Sequence, residues 1–317
     1  MARKKTAFLV WAEYIPARLA LSFLSILPRR AALAVAMFFA RLAFQLVKSF
    51  RKTGLRNLEI AFPEKSENER LVILRGSVEN LGRVLGEMSQ FHKLTPADIE
   101  NLVDFSEDPK ALRIFEETRK ERRGILITTG HLGNWEMLVH SFAALYQPMS
   151  YLARPLDNPL IEKMTVTIRT QLGNRPINKK NSAMLAIKLL RSGELLGILT
   201  DVNTTRKEGV FVPVFGVPAC TSTGAAKLAI RSGALIYPTF CVWDSSRGRY
   251  RIVHAGPFEP ADTGDRERDI YETTAQFTLA MEEIIRQYPD QWMWIHKRWK
   301  TRPDGEPDIY APNGRKH

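Results

Sequence analysis

Two cysteines in 317 residues, Cys220 and Cys241, are too few for a disulfide framework or a four-thiolate zinc site, and suit a reducing compartment. No G-x-S-x-G elbow follows any apolar run, which disfavours serine-nucleophile chemistry and a covalent acyl-enzyme. A P-loop and a dinucleotide fingerprint are also missing. The amino-terminal stretch lacks an unbroken spanning run, which needs roughly twenty predominantly apolar positions. Glu13 and Arg18 interrupt its first part, Arg41 and Gln45 its second. Glu13, with no convincing small-residue cleavage site beyond it, also argues against a cleaved signal peptide. Acidic residues are in deficit, 34 against 46 Lys and Arg, for a formal net charge of +12.

That excess favours a polyanionic partner: nucleic acid, an anionic membrane, a phosphorylated substrate or an acidic protein. Its placement narrows the choice. Arg3, Lys4 and Lys5, then Arg29 and Arg30, then Lys48, Arg51 and Lys52 flank apolar, aromatic segments. Residues 1–52 therefore read as one or two helices lying in or dipping into a bilayer. The alternative is a soluble helical hairpin packed on the main domain.

Residues 53–94 carry a helical pattern interrupted by Pro63, with Ser66 and Glu69 spaced as a capping box. Alternation then begins: strand 124–129, helix 134–146, strand 149–153, helices 157–172 and 181–192, strand 195–200. This predicts an α/β fold with a mixed, largely parallel sheet flanked by helices. Residues 209–218, GVFVPVFGVP, read as a loop punctuated by glycine and proline. A helix at 221–231, strands at 234–242 and 249–255, and a long amphipathic helix at 266–287 complete the domain, expected over 53–303. Residues 304–317 read as a surface tail.

The chemistry centres on GILITTGHLGNWE at 124–136, an apolar strand running into a histidine at a strand-to-helix corner. Carboxyl ends of sheet strands are where α/β folds place ligands. Two other runs end alike, Met149–Ala153 in Arg154 and Leu195–Thr200 in Asp201. Side by side, the three runs would bring a base, a cation and an acid to one edge. His131 is the candidate general base, and Glu136, just over a helical turn on, the carboxylate expected to orient it. The plain alternative is a buried histidine beside an ordinary helix-start glutamate. A metal site of His131, Glu136 and His140 is disfavoured because Leu132 stands where the zinc-protease pattern needs glutamate. YPDQWMWIHKRWKTRP at 288–303 alternates aromatic and basic residues, fitting a phosphorylated amphiphile, a headgroup layer or nucleic acid, or simply an aromatic cover over the core.

Together GHLGNWE at 130–136, Arg154-Pro155, Asp201, FVPVFGVPACTSTGAAKLA at 211–229, the 288–303 segment and RNLEIAFPEKSENER at 56–70 resemble the lauroyl/myristoyl-type lipid A biosynthesis acyltransferases. That family sits in the lysophospholipid acyltransferase superfamily. The resemblance implies a glycerol-phosphate acyltransferase-like fold with membrane-associated amino-terminal helices. It also implies fatty acyl transfer from acyl-carrier protein to a hydroxyl of a lipid A precursor, at the cytoplasmic face of the bacterial inner membrane. His131 would be the base and Glu136 its partner. Arg154, Asp201, Asn134, Lys297 and Arg298 would bind substrate. One departure is Val202, where many relatives carry a polar residue. The implied partners are acyl-carrier protein, a phosphorylated glycolipid acceptor and the membrane, with no nucleic acid, and neither a metal nor an organic cofactor is implied.

Overall fold

The computed structural model describes residues 5–106, 108–178 and 182–311. Residues 1–4, 312–317 and the first residue of the helix expected at 181–192 lie outside the described residues. The chain opens with four helices, α1 (Ala7–Ile26), α2 (Arg29–Leu46), α3 (Lys48–Ala61) and α4 (Glu67–Met88). Then come α5 (Pro96–Leu102), β1 (Val103–Asp104), α6 (Pro109–Lys120), β2 (Ile125–Thr129), α7 (Trp135–Leu145), β3 (Ser150–Ala153), α8 (Pro159–Arg169) and β4 (Arg175–Asn178). They are followed by α9 (Ser182–Arg191), β5 (Leu195–Leu199), β6 (Gly209–Val214), β7 (Val217–Ser222), α10 (Gly224–Ser232), β8 (Leu235–Asp244), β9 (Arg249–His254) and α11 (Arg266–Gln287).

Among the described residues the main sheet has seven strands in the order β1-β9-β8-β2-β5-β3-β4. Every neighbouring pair is parallel except β8 with β9. The three apolar runs do lie side by side, as β2-β5-β3, with Thr129 opposite Leu199 and Leu152 opposite Ile198. Their carboxyl ends therefore share one edge. The strands are apolar on both faces because helices cover both. Ile125 and Ile127 of β2 join a buried cluster with Met137, Leu138 and Phe142 of α7. Leu126 faces the opposite way, toward Leu190, Ala229 and Phe277 of α9, α10 and α11.

The helical breaks follow the sequence. α3 ends before Pro63, and Ser66 caps α4 through the reciprocal box with Glu69. The boundary expected after residue 52 falls inside α3, and α2 lies along α4. α1 is long and apolar enough to cross a membrane despite Glu13 and Arg18. Glu13 is met by Lys5 at 2.6 Å and by the Asn158 amide at 2.9 Å, so its charge is compensated. Phe8, Trp11, Leu19 and Phe23 of this helix stay exposed.

One expectation is corrected. Residues 209–218 are not a loop: β6 and β7 form an antiparallel hairpin in which Pro213 and Pro218 face each other. A two-stranded ribbon is all edge, so proline does not cost a ladder bond on an inner side. The turn takes positive φ at Phe215 (49°) and Gly216 (76°), the two-residue geometry whose twist matches the strands. The described part of the tail lies on the surface and is tied to it, the Tyr310 hydroxyl donating to Asn57 Oδ1 at 2.7 Å and Ile309 packing on the core.

Candidate active site

His131 follows β2 directly and Asp201 follows β5, so adjacent parallel strands deliver them to one point. The His131 backbone N–H donates to Asp201 Oδ2 at 2.8 Å, and its ring Nδ1 lies 2.9 Å from Oδ1. Trp292 Nε1 donates to Oδ2 as well, at 2.9 Å. Asp201 is buried, while the His131 side chain keeps 21% of its surface open. Nε2 of that ring has no hydrogen-bond partner among the described residues. With Nδ1–H held by the carboxylate, Nε2 is the nitrogen left with a free lone pair.

Burial by itself would lower the His131 pKa, but the Asp201 charge and hydrogen bond, helped by the charge of Glu136, outweigh it and hold the imidazole above its ordinary value. Asp201 balances the other way. Burial works against its charge, yet His131 and three donated hydrogen bonds keep its carboxyl well below the usual range.

The glycines of this loop have separate reasons. A Cβ on residue 130 would lie 3.0 Å from Asp201 Cγ and 2.6 Å from Met281 Sδ, so any larger residue would have to push one or both aside. Gly133 has φ +62°, and a Cβ there would meet the Cys241 carbonyl at 2.1 Å.

The carboxyl-terminal segment runs beside this loop as its back wall. Gly133 N–H donates to the Gln291 carbonyl and Met293 N–H to the His131 carbonyl, each at 3.0 Å. Trp292, Trp294 and Trp299 are buried, which is the aromatic-cover reading. Buried amides on two helices brace the segment from behind. Asn80 donates to the Gly133 carbonyl at 2.7 Å, and Asn57 to the Trp294 and His296 carbonyls at 2.6 Å each. Sequence reasoning passed over both, although an asparagine on the apolar face of an amphipathic helix is itself a signal that something needs its hydrogen bonds.

The other expected site residues are placed differently. Glu136 does not hold His131. Its carboxylate is gripped by both Nε and an Nη of Arg169 and accepts from Trp135 Nε1 at 3.0 Å. The physical reason is that Arg169 offers a bidentate fork where the imidazole offers one donor, already taken by Asp201. Asn134 is fully buried as the cap of α7. Its Oδ1 accepts from Met137 N–H at 2.9 Å and its amide donates to the Tyr250 hydroxyl at 3.2 Å, and the side chain is shut away from the surface.

Arg298 is enclosed as well. It donates to the Cys220 carbonyl and Thr221 Oγ1, and burial lowers its pKa to about 10. Arg154 reaches the common edge but stays exposed and pairs with Asp157 at 3.0 Å. Lys297 lies over the Tyr310 ring, exposed, on the outer side of the carboxyl-terminal segment. His140 is buried and stacked on Phe91. Among the described residues no three His, Cys, Asp or Glu side chains are grouped to hold a cation.

A parallel-sheet edge that presents one histidine, oriented by a carboxylate and open at Nε2, is an arrangement able to accept a proton. The comparisons name the reaction class. The chain belongs to the bacterial lipid A biosynthesis acyltransferase family, whose model matches residues 2–301, and it is an acyltransferase. It is 30% identical over 271 residues to the lipid A biosynthesis lauroyltransferase of Escherichia coli (strain K12), covering 85% of each chain. The palmitoleoyltransferase of the same strain is 26% identical with 85% of each chain covered. Its myristoyltransferase is 25% identical, with 85% of this chain and 81% of that protein covered.

Proposed function

We propose that this enzyme moves a fatty acyl chain from acyl-carrier protein to a hydroxyl of a phosphorylated lipid A precursor, at the cytoplasmic face of the bacterial inner membrane. The acceptor hydroxyl gives its proton to His131 Nε2 as its oxygen attacks the thioester carbonyl. The tetrahedral intermediate then collapses, expelling the carrier thiolate, which takes up the proton held by the imidazole. Donor and acceptor are bound together and no acyl-enzyme forms. The observation that carries this reading is the Asp201–His131 pair, which selects the Nδ1–H tautomer and stabilises the imidazolium formed during attack.

Glu136 contributes charge without contact: held by Arg169, it adds to the field that favours the protonated ring. Arg154 and Lys297, both exposed, supply cations for a phosphorylated acceptor or an acidic carrier. Residues 1–52 bring the domain to the membrane, with α1 as the apolar contact.

The test is transfer of radiolabelled acyl groups from a panel of acyl-carrier proteins and acyl-coenzyme A to a lipid A precursor, by wild type and His131→Ala in detergent. Transfer from the carrier protein that collapses in the variant supports the reading. Transfer only from acyl-coenzyme A, or only to a lysophospholipid, rejects it.

A further inference from the structure

A strongly basic cleft lies away from the His131 edge. α2 and α3 meet at a bend of 90° around Val47, and the cleft, about 630 Å³, opens between that elbow and α4. Phe44, Leu55, Leu71 and Val78 form its floor. Five cations and one acid, Glu79, line it. Arg41 is paired with Glu79 at 2.8 Å. Lys48, Arg51, Lys52 and Arg75 are exposed and make no ion pair or hydrogen bond among the described residues.

Four unpaired cations around one apolar floor repel each other, and among the described residues the single acid of the cleft, Glu79, is already paired with Arg41. An anion from outside would offset that repulsion. The exposed surface of α2 next to the cleft, outside its lining, indicates which kind. Phe38 and Phe39 on α2 are each 57% exposed, Leu46 is 72% exposed, and Val47 sits at the elbow itself. A ridge of exposed aromatic and aliphatic side chains beside basic ones is what a helix presents to the boundary between headgroups and acyl chains. An acidic protein would satisfy the cations and leave the phenylalanines in water.

We propose that this cleft is a binding site for an anionic phospholipid. The phosphate sits among Lys48, Arg51, Lys52 and Arg75, and the bilayer that holds the acyl chains meets the exposed apolar surface of α2 outside the cleft, at Phe38, Phe39 and Leu46. The elbow is then a second attachment to the bilayer besides α1, specific for headgroup charge where α1 is not. A cleft of this size accommodates a glycerophosphate headgroup.

The experiment uses the full chain in nanodiscs of phosphatidylcholine alone or mixed with phosphatidylglycerol. The readout is the rate at which an amine-acylating reagent labels Lys48 and Lys52, relative to exposed Lys110 on α6. Attraction to an anionic lipid surface is worth about 1 kcal/mol per Lys or Arg, so the net negative headgroup of phosphatidylglycerol should slow both lysines about fivefold relative to zwitterionic phosphatidylcholine. Arg51→Gln with Arg75→Gln should remove most of that protection. Equal labelling in the two kinds of disc overturns the proposal. So does protection by acyl-carrier protein in phosphatidylcholine discs with none from phosphatidylglycerol, which would assign the cleft to an acidic protein. Acyl transfer does not enter this readout, so its result and that of the catalytic reading are independent.

Discussion

Asp201 holds His131 at two points, its Oδ2 on the backbone N–H at 2.8 Å and its Oδ1 facing the ring Nδ1 at 2.9 Å. The residue that positions the loop also selects the tautomer. Because Trp292 donates to Oδ2 too, an amide in place of the carboxylate has one acceptable orientation, with its oxygen toward the two donors. Its NH2 then faces Nδ1 and drives the ring proton to Nε2.

Asp201→Asn should therefore retain the fold and lose about 10³- to 10⁴-fold in kcat, the size of effect seen when a catalytic histidine is put in the wrong tautomer. Single-turnover acyl transfer measures it. Glu136→Gln should cost less, because Glu136 makes no hydrogen bond to the imidazole. The reverse order of losses would return the orienting role to Glu136.

The pH profile follows from the direction of the His131 shift. In the proposed role His131 works when neutral, and its pKa is raised from the ordinary 6.5, so activity should rise with pH and reach half its plateau above 6.5. In Asp201→Ala the residual activity should have its acid limb moved to lower pH, since the largest support for the imidazolium is gone. Initial rates from pH 5 to 9 check both.

Glu136 and Arg169 form a pair in which the carboxylate is buried and the arginine side chain partly exposed. Arg169→Met should destabilise the protein by about 3–5 kcal/mol, because it leaves a buried charge unmatched. Adding Glu136→Gln should restore much of that loss. Denaturant midpoints of the two single variants and the double variant form the cycle.

Three histidines, His140, His254 and His296, have pKa values lowered by burial to about 4. Between pH 6.5 and 4 the unfolded chain binds protons that the folded chain refuses, so stability should fall as pH falls through that window. His140 has a buried Nε2 without a partner and a ring stacked on Phe91 at 4.1 Å, so His140→Phe should flatten part of the slope. Thermal midpoints across the window, compared between wild type and variant, decide it.

Gly130→Ala tests the approach of the two strands that carry His131 and Asp201. Its Cβ would press on Asp201 and Met281, so activity should fall at least as far as in Glu136→Gln, with about 1–3 kcal/mol of stability lost to overpacking. A variant as active as wild type would show that the aspartate has room to shift.

Local pattern alone reached a good deal of this protein. Branched-apolar runs ending in His131, Arg154 and Asp201 identified three strands, and their common edge followed from parallel pairing. Pro63 and the Ser66–Glu69 box marked where α3 ends and α4 begins, since both act within a few residues. The 209–218 hairpin was missed because Gly and Pro weigh against strand wherever they occur, and only the observed pairing shows that both flanks of the ribbon are free of the main sheet.

Partner choice was the part decided in three dimensions. From the sequence, Glu136 is the carboxylate nearest His131, and Asn134 and Arg298 are polar groups free to meet substrate. Tertiary packing gave His131 to a carboxylate 70 positions away and Glu136 to an arginine 33 positions away, and it buried Asn134 and Arg298. A charged side chain moving out of water goes to whichever counter-charge the fold delivers at hydrogen-bond distance, and sequence spacing carries no information about that distance once the chain crosses a sheet.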